Sequence, residues 1–127
     1  RQWLLERLDD PGVALIDARS QAEYTGEDVR AQRGGHIPGA VHLDWRAFMD
    51  ADGAPALRPE AQLRELLEAR GVTPEHEVVV HCQTHHRSSL TYVVLRHLGF
   101  PRVRGYAGSW SEWGNDPALP VRAGEAP

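Results

Sequence analysis

Cysteine is almost absent: Cys82 is the only one in 127 residues. A lone cysteine cannot close an internal disulfide, which points to a reducing compartment such as the cytoplasm. No apolar run approaches membrane-spanning length and no signal-peptide pattern opens the chain, so no membrane partner is expected. Positive charge is not in excess either. With 14 Lys+Arg against 18 Asp+Glu the formal net charge is -4, which offers a nucleic acid no electrostatic footing. Internal repeats and low-complexity segments are missing too. What is present is the balance of an ordinary globular domain, 25% charged and 41% hydrophobic residues, in a length that fits one core. The chain opens on Arg1 and runs directly into a helix-like stretch from Trp3 to Leu8. It is therefore expected to be a fragment of a longer protein.

Short β-like runs alternate with helix-like runs, the pattern of an α/β domain with a central, mostly parallel sheet and helices on both faces. Val13 to Ile16 is a continuous apolar run that stops at Asp17, after the turn signal Asp10-Pro11-Gly12. Ala40 to Leu43 follows the turn His36-Ile37-Pro38-Gly39. Val78-Val79-Val80-His81 is the strongest strand signal, because three consecutive valines suit a strand buried on both faces. Arg102 to Tyr106 is the weakest. Leu63, Leu66 and Leu67 recur at helical spacing between Pro59, suited to a first turn, and Gly71, a stop. Leu90, Val93, Val94 and Leu98 mark the inward face of a second helix ending at Gly99. Ser20 to Tyr24 and Asp44 to Met49 read as short helices, Gly26 to Gly35 as a surface loop, and the stretch after Pro117 as irregular.

The informative segment runs from Val78 to Leu90. A buried strand ends at Cys82, a short polar loop follows, and a helix begins. In parallel sheets chemistry gathers beyond the carboxyl ends of strands. A tight loop at a helix N-terminus presents unpaired N–H groups to an anion, with the helix dipole behind them. A thiolate there is the stabilised anion, so Cys82 should have a lowered pKa. His85, His86 and Arg87 add positive or hydrogen-bonding character. The alternative, a small buried apolar cysteine, would suit a position inside the valine run better than one at the junction. Cys82 is therefore read as an activated nucleophile.

Four segments resemble motifs of the rhodanese family, the thiosulfate sulfurtransferases, over nearly the whole chain. They are Asp17-Ala18-Arg19, Gly35-His36-Ile37-Pro38-Gly39-Ala40, the loop from Cys82 through Ser88, and Tyr106-Ala107-Gly108-Ser109-Trp110 followed by Glu112-Trp113. The last is similar to the closing motif of the C-terminal catalytic half of two-domain members. The resemblance implies a single rhodanese-like domain over residues 1–127, with an N-terminal rhodanese domain as partner. It also implies the chemistry. Cys82 takes a sulfur atom from a small anionic donor such as thiosulfate, forming a persulfide, and gives it to cyanide or a thiol acceptor. Gln83, Thr84, His85, His86, Arg87 and Ser88 would cradle the substrate, with Asp17, Arg19, Glu23 and Trp110 behind them. No cofactor is implied. Animal members carry an arginine at the position matched to Glu23 and a basic residue where Thr84 stands, and these departures bear on donor identity.

The neighbours have competing readings. Arg87 suits a sulfonate, and equally a carboxylate such as Glu23. Of His85 and His86, one is expected at the site and one in solvent. Asp17 and Arg19 are expected to pair structurally, His36 to fix its own turn, and Trp110 and Trp113 to pack in the core. No metal site is expected. His81, Cys82, His85 and His86 lie close in sequence, but the His81 side chain should point away from that of Cys82. A cysteine phosphatase or arsenate reductase is the enzymatic rival. The phosphatase motif needs five residues between cysteine and arginine, where four separate Cys82 from Arg87. A sulfur carrier or a regulatory binding domain are the further alternatives, although binding-only relatives commonly lack the cysteine.

Overall fold

The apolar runs pair into one four-stranded sheet. In this computed structural model, which describes residues 1–49 and 56–127, the strands are β1 (Val13–Asp17), β2 (Val41–His42), β3 (Glu77–His81) and β4 (Val103–Gly105). Their order is β2-β1-β3-β4 and every pairing is parallel. The central pair runs from Val13 opposite Glu77 to Asp17 opposite His81. Parallel neighbours need crossover connections. These carry α2 (Gln21–Thr25), a 3₁₀ turn (Trp45–Phe48), α3 (Glu60–Glu68) and α4 (Arg87–His97); α1 (Gln2–Leu5) precedes β1 and α5 (Ser109–Trp113) follows β4.

The pleat divides the strand residues between two cores. Ile16, Val78 and Val80 pack with Leu63 and Leu67 of α3 and Val94 and Leu95 of α4. Leu15 and Val79 face the other way, against Leu4, Tyr24, Ile37, Trp110 and Trp113. Both sides of β3 are therefore buried, which is why its sequence shows a valine run instead of alternation. The result is the expected α/β architecture with helices on both faces.

Several boundaries differ from the sequence reading. β2 is only two residues, because the Ala40 N–H is held by the Ile37 carbonyl at 3.0 Å inside the preceding turn. Pro59 is the N-cap of α3 with an extended ψ of 148°, one position before the expected first turn. The inward face of α4 is Ser88, Thr91, Val94 and Leu95, followed by Leu98; Val93, expected there, is 59% exposed. Successive helical residues turn by about 100°; with Thr91, Val94, Leu95 and Leu98 set on the sheet, Val93 falls on the opposite side of the helix, toward solvent. Gly71 and Gly99 close α3 and α4 with φ of 73° and 86°, as expected of C-terminal stops. The segment after Pro117 is irregular but anchored. The Arg33 guanidinium reaches the carbonyls of Trp113 (2.8 Å), Leu119 (2.6 Å) and Asp116 (2.5 Å), tying the loop between Gly26 and Gly35 to the C-terminal segment.

Candidate active site

Cys82 follows β3 directly, and α4 starts five residues later at Arg87. The loop between them is clamped by the start of α5. The Cys82 N–H donates to Ser109 Oγ at 3.2 Å, Trp110 N–H donates to the Cys82 carbonyl at 2.9 Å, and Ser111 N–H to the Gln83 carbonyl at 3.0 Å. Among the described residues, the two non-glycine residues with positive φ are His85 (65°) and Ser109 (51°), and both belong to this junction. Strained backbone of this kind persists only where surrounding contacts hold it.

The Cys82 residue is 1% exposed, yet its sulfur faces donors. The Ser88 hydroxyl lies 3.4 Å from Sγ, and the backbone N–H groups of Ser88, Thr84 and Arg87 also point to it. Burial pushes the thiol pKa up. The Ser88 hydroxyl and the backbone donors outweigh it, and the net displacement is downward. The eleven-residue helix α4 adds its positive end.

Arg87 is bound to Glu23 by a fork, with NH1 at 2.7 Å from Oε1 and NH2 at 2.8 Å from Oε2. Of the two readings left open, the structure realises the carboxylate. Glu23 is buried and itself held by a capping box on α2: its N–H donates to Ser20 Oγ, and Ser20 Oγ–H lies 2.9 Å from Oε1. Burial pushes the Glu23 carboxyl up, but hydrogen bonds from Arg87 and Ser20 overcome it and hold it at about 2. Glu23 therefore faces the loop as a carboxylate whose charge is matched by Arg87.

The remaining loop residues separate by role. His85 places Nδ1 2.6 Å from Ser88 Oγ, and His86 is exposed, the expected division between the two. Thr84 is exposed and contributes its backbone N–H. Gln83 is half-buried, with Oε1 buried and Nε2 donating to the Arg30 carbonyl at 3.2 Å.

Behind the loop, Arg19 Nε and NH2 hold Asp17 at 3.0 and 2.8 Å with both side chains buried. The same guanidinium donates to the Gly35 carbonyl at 2.7 Å and lies 4.6 Å from the Trp110 ring centre. This pair is structural, as expected, and Trp110 joins it to the cysteine loop. The His81 ring is on the side of Tyr106 and Asp17, with Nδ1 3.2 Å from the Cys82 carbonyl. His36 differs from expectation. Instead of fixing its own turn, it places Nδ1 2.8 Å from the Tyr24 carbonyl and Nε2 2.9 Å from that of Ala126, stacked on Tyr24 at 3.8 Å. Sequence reasoning gave no role to Ser20 or Ser109. The first was findable in Ser20-x-x-Glu23, a capping-box spacing; the second lies in the Gly108-Ser109-Trp110 motif without a local signal for its contact.

A rhodanese-like domain model matches residues 1–116. The chain belongs to the rhodanese family. Among its curated relatives, this rhodanese-like chain is 55% identical over 121 residues to a thiosulfate sulfurtransferase of Azotobacter vinelandii, covering 95% of this chain and 44% of that protein. Against the thiosulfate sulfurtransferase of Pseudomonas aeruginosa the identity is 54% over the same length and the same shares. A sulfur carrier protein, TtuD, of Thermus thermophilus is 40% identical over 121 residues, 88% of this chain and 42% of that one. The chain thus spans less than half the length of these relatives. Among solved structures, the rhodanese-like fold superposes with a TM-score of 0.87 on the anaerobic ergothioneine biosynthesis enzyme of Chlorobium limicola in complex with trimethyl histidine, at 27% identity, covering 97% of this chain and 31% of that one. Among the described residues no helix is long and apolar enough to cross a membrane.

Proposed function

We propose that this chain transfers sulfane sulfur through a persulfide on Cys82, as a thiosulfate sulfurtransferase. The Cys82 thiolate attacks the outer sulfur of thiosulfate. The new S–S bond forms as the old one breaks, and sulfite leaves with the electron pair. A nucleophilic acceptor, cyanide or a thiolate, then attacks the outer persulfide sulfur and Cys82 departs as thiolate. A covalent intermediate divides one difficult transfer into two easier ones. The observation that carries the reading is the convergence of the Ser88 hydroxyl and the N–H groups of Thr84, Arg87 and Ser88 on a buried sulfur. Such fixed donors stabilise a negative sulfur without reorganising. Names of relatives at 54–55% identity support the same activity.

The sulfur-carrier relative supports a second purpose for the same chemistry, delivery of the persulfide sulfur to another protein. The greater length of the relatives supports an N-terminal rhodanese domain as a further partner, and a thiol that must stay reduced supports a cytoplasmic setting. Intact-protein mass spectrometry after incubation with thiosulfate tests the reaction. The expected result is a gain of one sulfur atom that cyanide removes and that Cys82→Ala does not acquire. Sulfur transfer retained by Cys82→Ala sinks the mechanism. Transfer to small thiols at a useful rate favours the enzyme over the carrier.

A further inference from the structure

Three separate observations converge on His85. Its φ of 65° is uncommon for a residue with a side chain. Its imidazole fills the space over Gly105 at the end of β4, where a methyl group would overlap the ring and lie 2.6 Å from Cε1. Finally, Nδ1 is 2.6 Å from Ser88 Oγ, which is in turn 3.4 Å from Cys82 Sγ. A strained backbone and a glycine niche thus hold one ring nitrogen at the far end of a chain that terminates on the reacting sulfur. Arg87, the permanent cation beside that sulfur, has both terminal nitrogens on Glu23.

We propose that His85 is a positioning residue that takes the Cys82 proton through Ser88 and then holds the Ser88 hydroxyl toward the sulfur. In the thiol state the chain runs S–H to Ser88 Oγ and Ser88 O–H to Nδ1. The S–H bond breaks as its proton joins Ser88 Oγ, while the proton already on that oxygen moves to Nδ1. One proton has crossed, leaving a thiolate that accepts from Ser88 and an imidazolium that donates to the same hydroxyl. The imidazolium adds a positive charge at the far end of the Ser88 chain to that of Arg87, whose guanidinium is shared between Glu23 and the sulfur. Burial, and next the neighbouring charge of His86, hold the His85 pKa below its ordinary value, so the ring is neutral before the transfer and its imidazolium relies on the thiolate for stabilisation. The groups facing the ring and the sulfur are His86 on the loop, Arg87 of α4, which pairs with Glu23 of α2 and also reaches the sulfur, and, from β4, the uncharged Gly105. The inference deepens the persulfide reading and rests on it for its purpose.

The test follows the ultraviolet thiolate absorbance of the intact chain against pH for wild type, His85→Asn, Ser88→Ala and the double variant. Asparagine tolerates a left-handed backbone, so His85→Asn leaves the loop its conformation. Each single variant is expected to raise the Cys82 midpoint by about one pH unit, a tenfold smaller thiolate fraction. The double variant should move it no further than the larger single shift, because both interrupt one chain. An unmoved midpoint in His85→Asn, or additive shifts in the double variant, overturns the proposal. Should Ser88→Ala fail to fold, NMR titration of the His85 ring serves instead: its midpoint falls in Cys82→Ala if the two are coupled, and an unchanged midpoint overturns the coupling. Neither readout uses turnover. Absence of persulfide by mass spectrometry therefore counts against the sulfur-transfer reading, and an uncoupled His85 counts against the relay.

Discussion

The fork between Arg87 and Glu23 decides how an anionic donor meets this loop. With both terminal nitrogens at 2.7–2.8 Å from one carboxylate, Arg87 has less to offer a sulfonate than an unpaired arginine has. Glu23→Gln keeps a side chain that suits the N3 position of a capping box and leaves Arg87 with its charge unmatched. The expected outcome in steady-state kinetics is a several-fold lower KM for thiosulfate with kcat little changed. A higher KM would show that Glu23 orders Arg87 for donor binding. Glu23→Ala is different in kind. It removes the reciprocal half of the capping box and leaves a partly buried guanidinium without its partner, a loss of about 2–3 kcal/mol. Chemical denaturation separates the two variants.

At the scale of elements, the carboxyl end of β1 is tied to α5 through Asp17, Arg19 and Trp110. Asp17 and Arg19 are 0% and 1% exposed, so a lone charge at either position is desolvated without compensation. Asp17→Asn should cost about 3–5 kcal/mol, the range for breaking a buried pair, read as a fall in the urea midpoint. Because Arg19 lies on Trp110, whose N–H holds the Cys82 carbonyl, the same variant should also loosen the cysteine loop. The measurement is hydrogen exchange at the Trp110 amide, which should accelerate more than that of Val79 in the sheet. Equal acceleration would mean that only global stability had changed.

For the whole molecule, the buried titratable groups give one stability profile. Burial lowers the pKa of His36 and His81 below 6.5. The unfolded chain therefore binds protons that the folded one does not, and stability falls as pH drops below about 6.5. Burial pushes Asp17 up, but the charge and hydrogen bonds of Arg19, joined by His81 once that ring is protonated, outweigh it and the net displacement is downward, while Glu23 sits at about 2. Their contributions are present above the ordinary carboxylate range and are lost as pH falls through the folded values. At the alkaline end, burial raises Tyr24 to about 12 and raises Tyr106 further, aided by Glu112. Unfolded tyrosines ionise first, and stability falls again above about pH 10. Denaturant midpoints measured across pH should form a plateau near neutrality with losses on both sides. A midpoint at pH 5 equal to that at pH 7.5 contradicts the buried neutral histidines.

Much of this was legible locally. The valine run, the glycine stops and the polar loop between Val80 and Leu90 specify strand, loop and helix through interactions within a few residues, and they place Cys82 at a sheet's carboxyl edge. The four motifs in order identified the family for the same reason, since each is a short contiguous segment. Other features depend on contacts between distant segments. Arg87 was equally suited to a sulfonate or a carboxylate until the parallel crossovers brought α2 and α4 together, 64 residues apart. The His36 ring nitrogens meet the carbonyls of Tyr24 and Ala126, 12 and 90 residues away, which no turn geometry could indicate. Val93 and Val94 are equivalent in hydropathy, and only the orientation of α4 on the sheet decided which is buried. Ser109 supports the Cys82 amide because α5 is seated against the loop. Sequence determines which elements form and which chemistry they carry; tertiary packing selects the charge partners, because those selections depend on the crossover geometry.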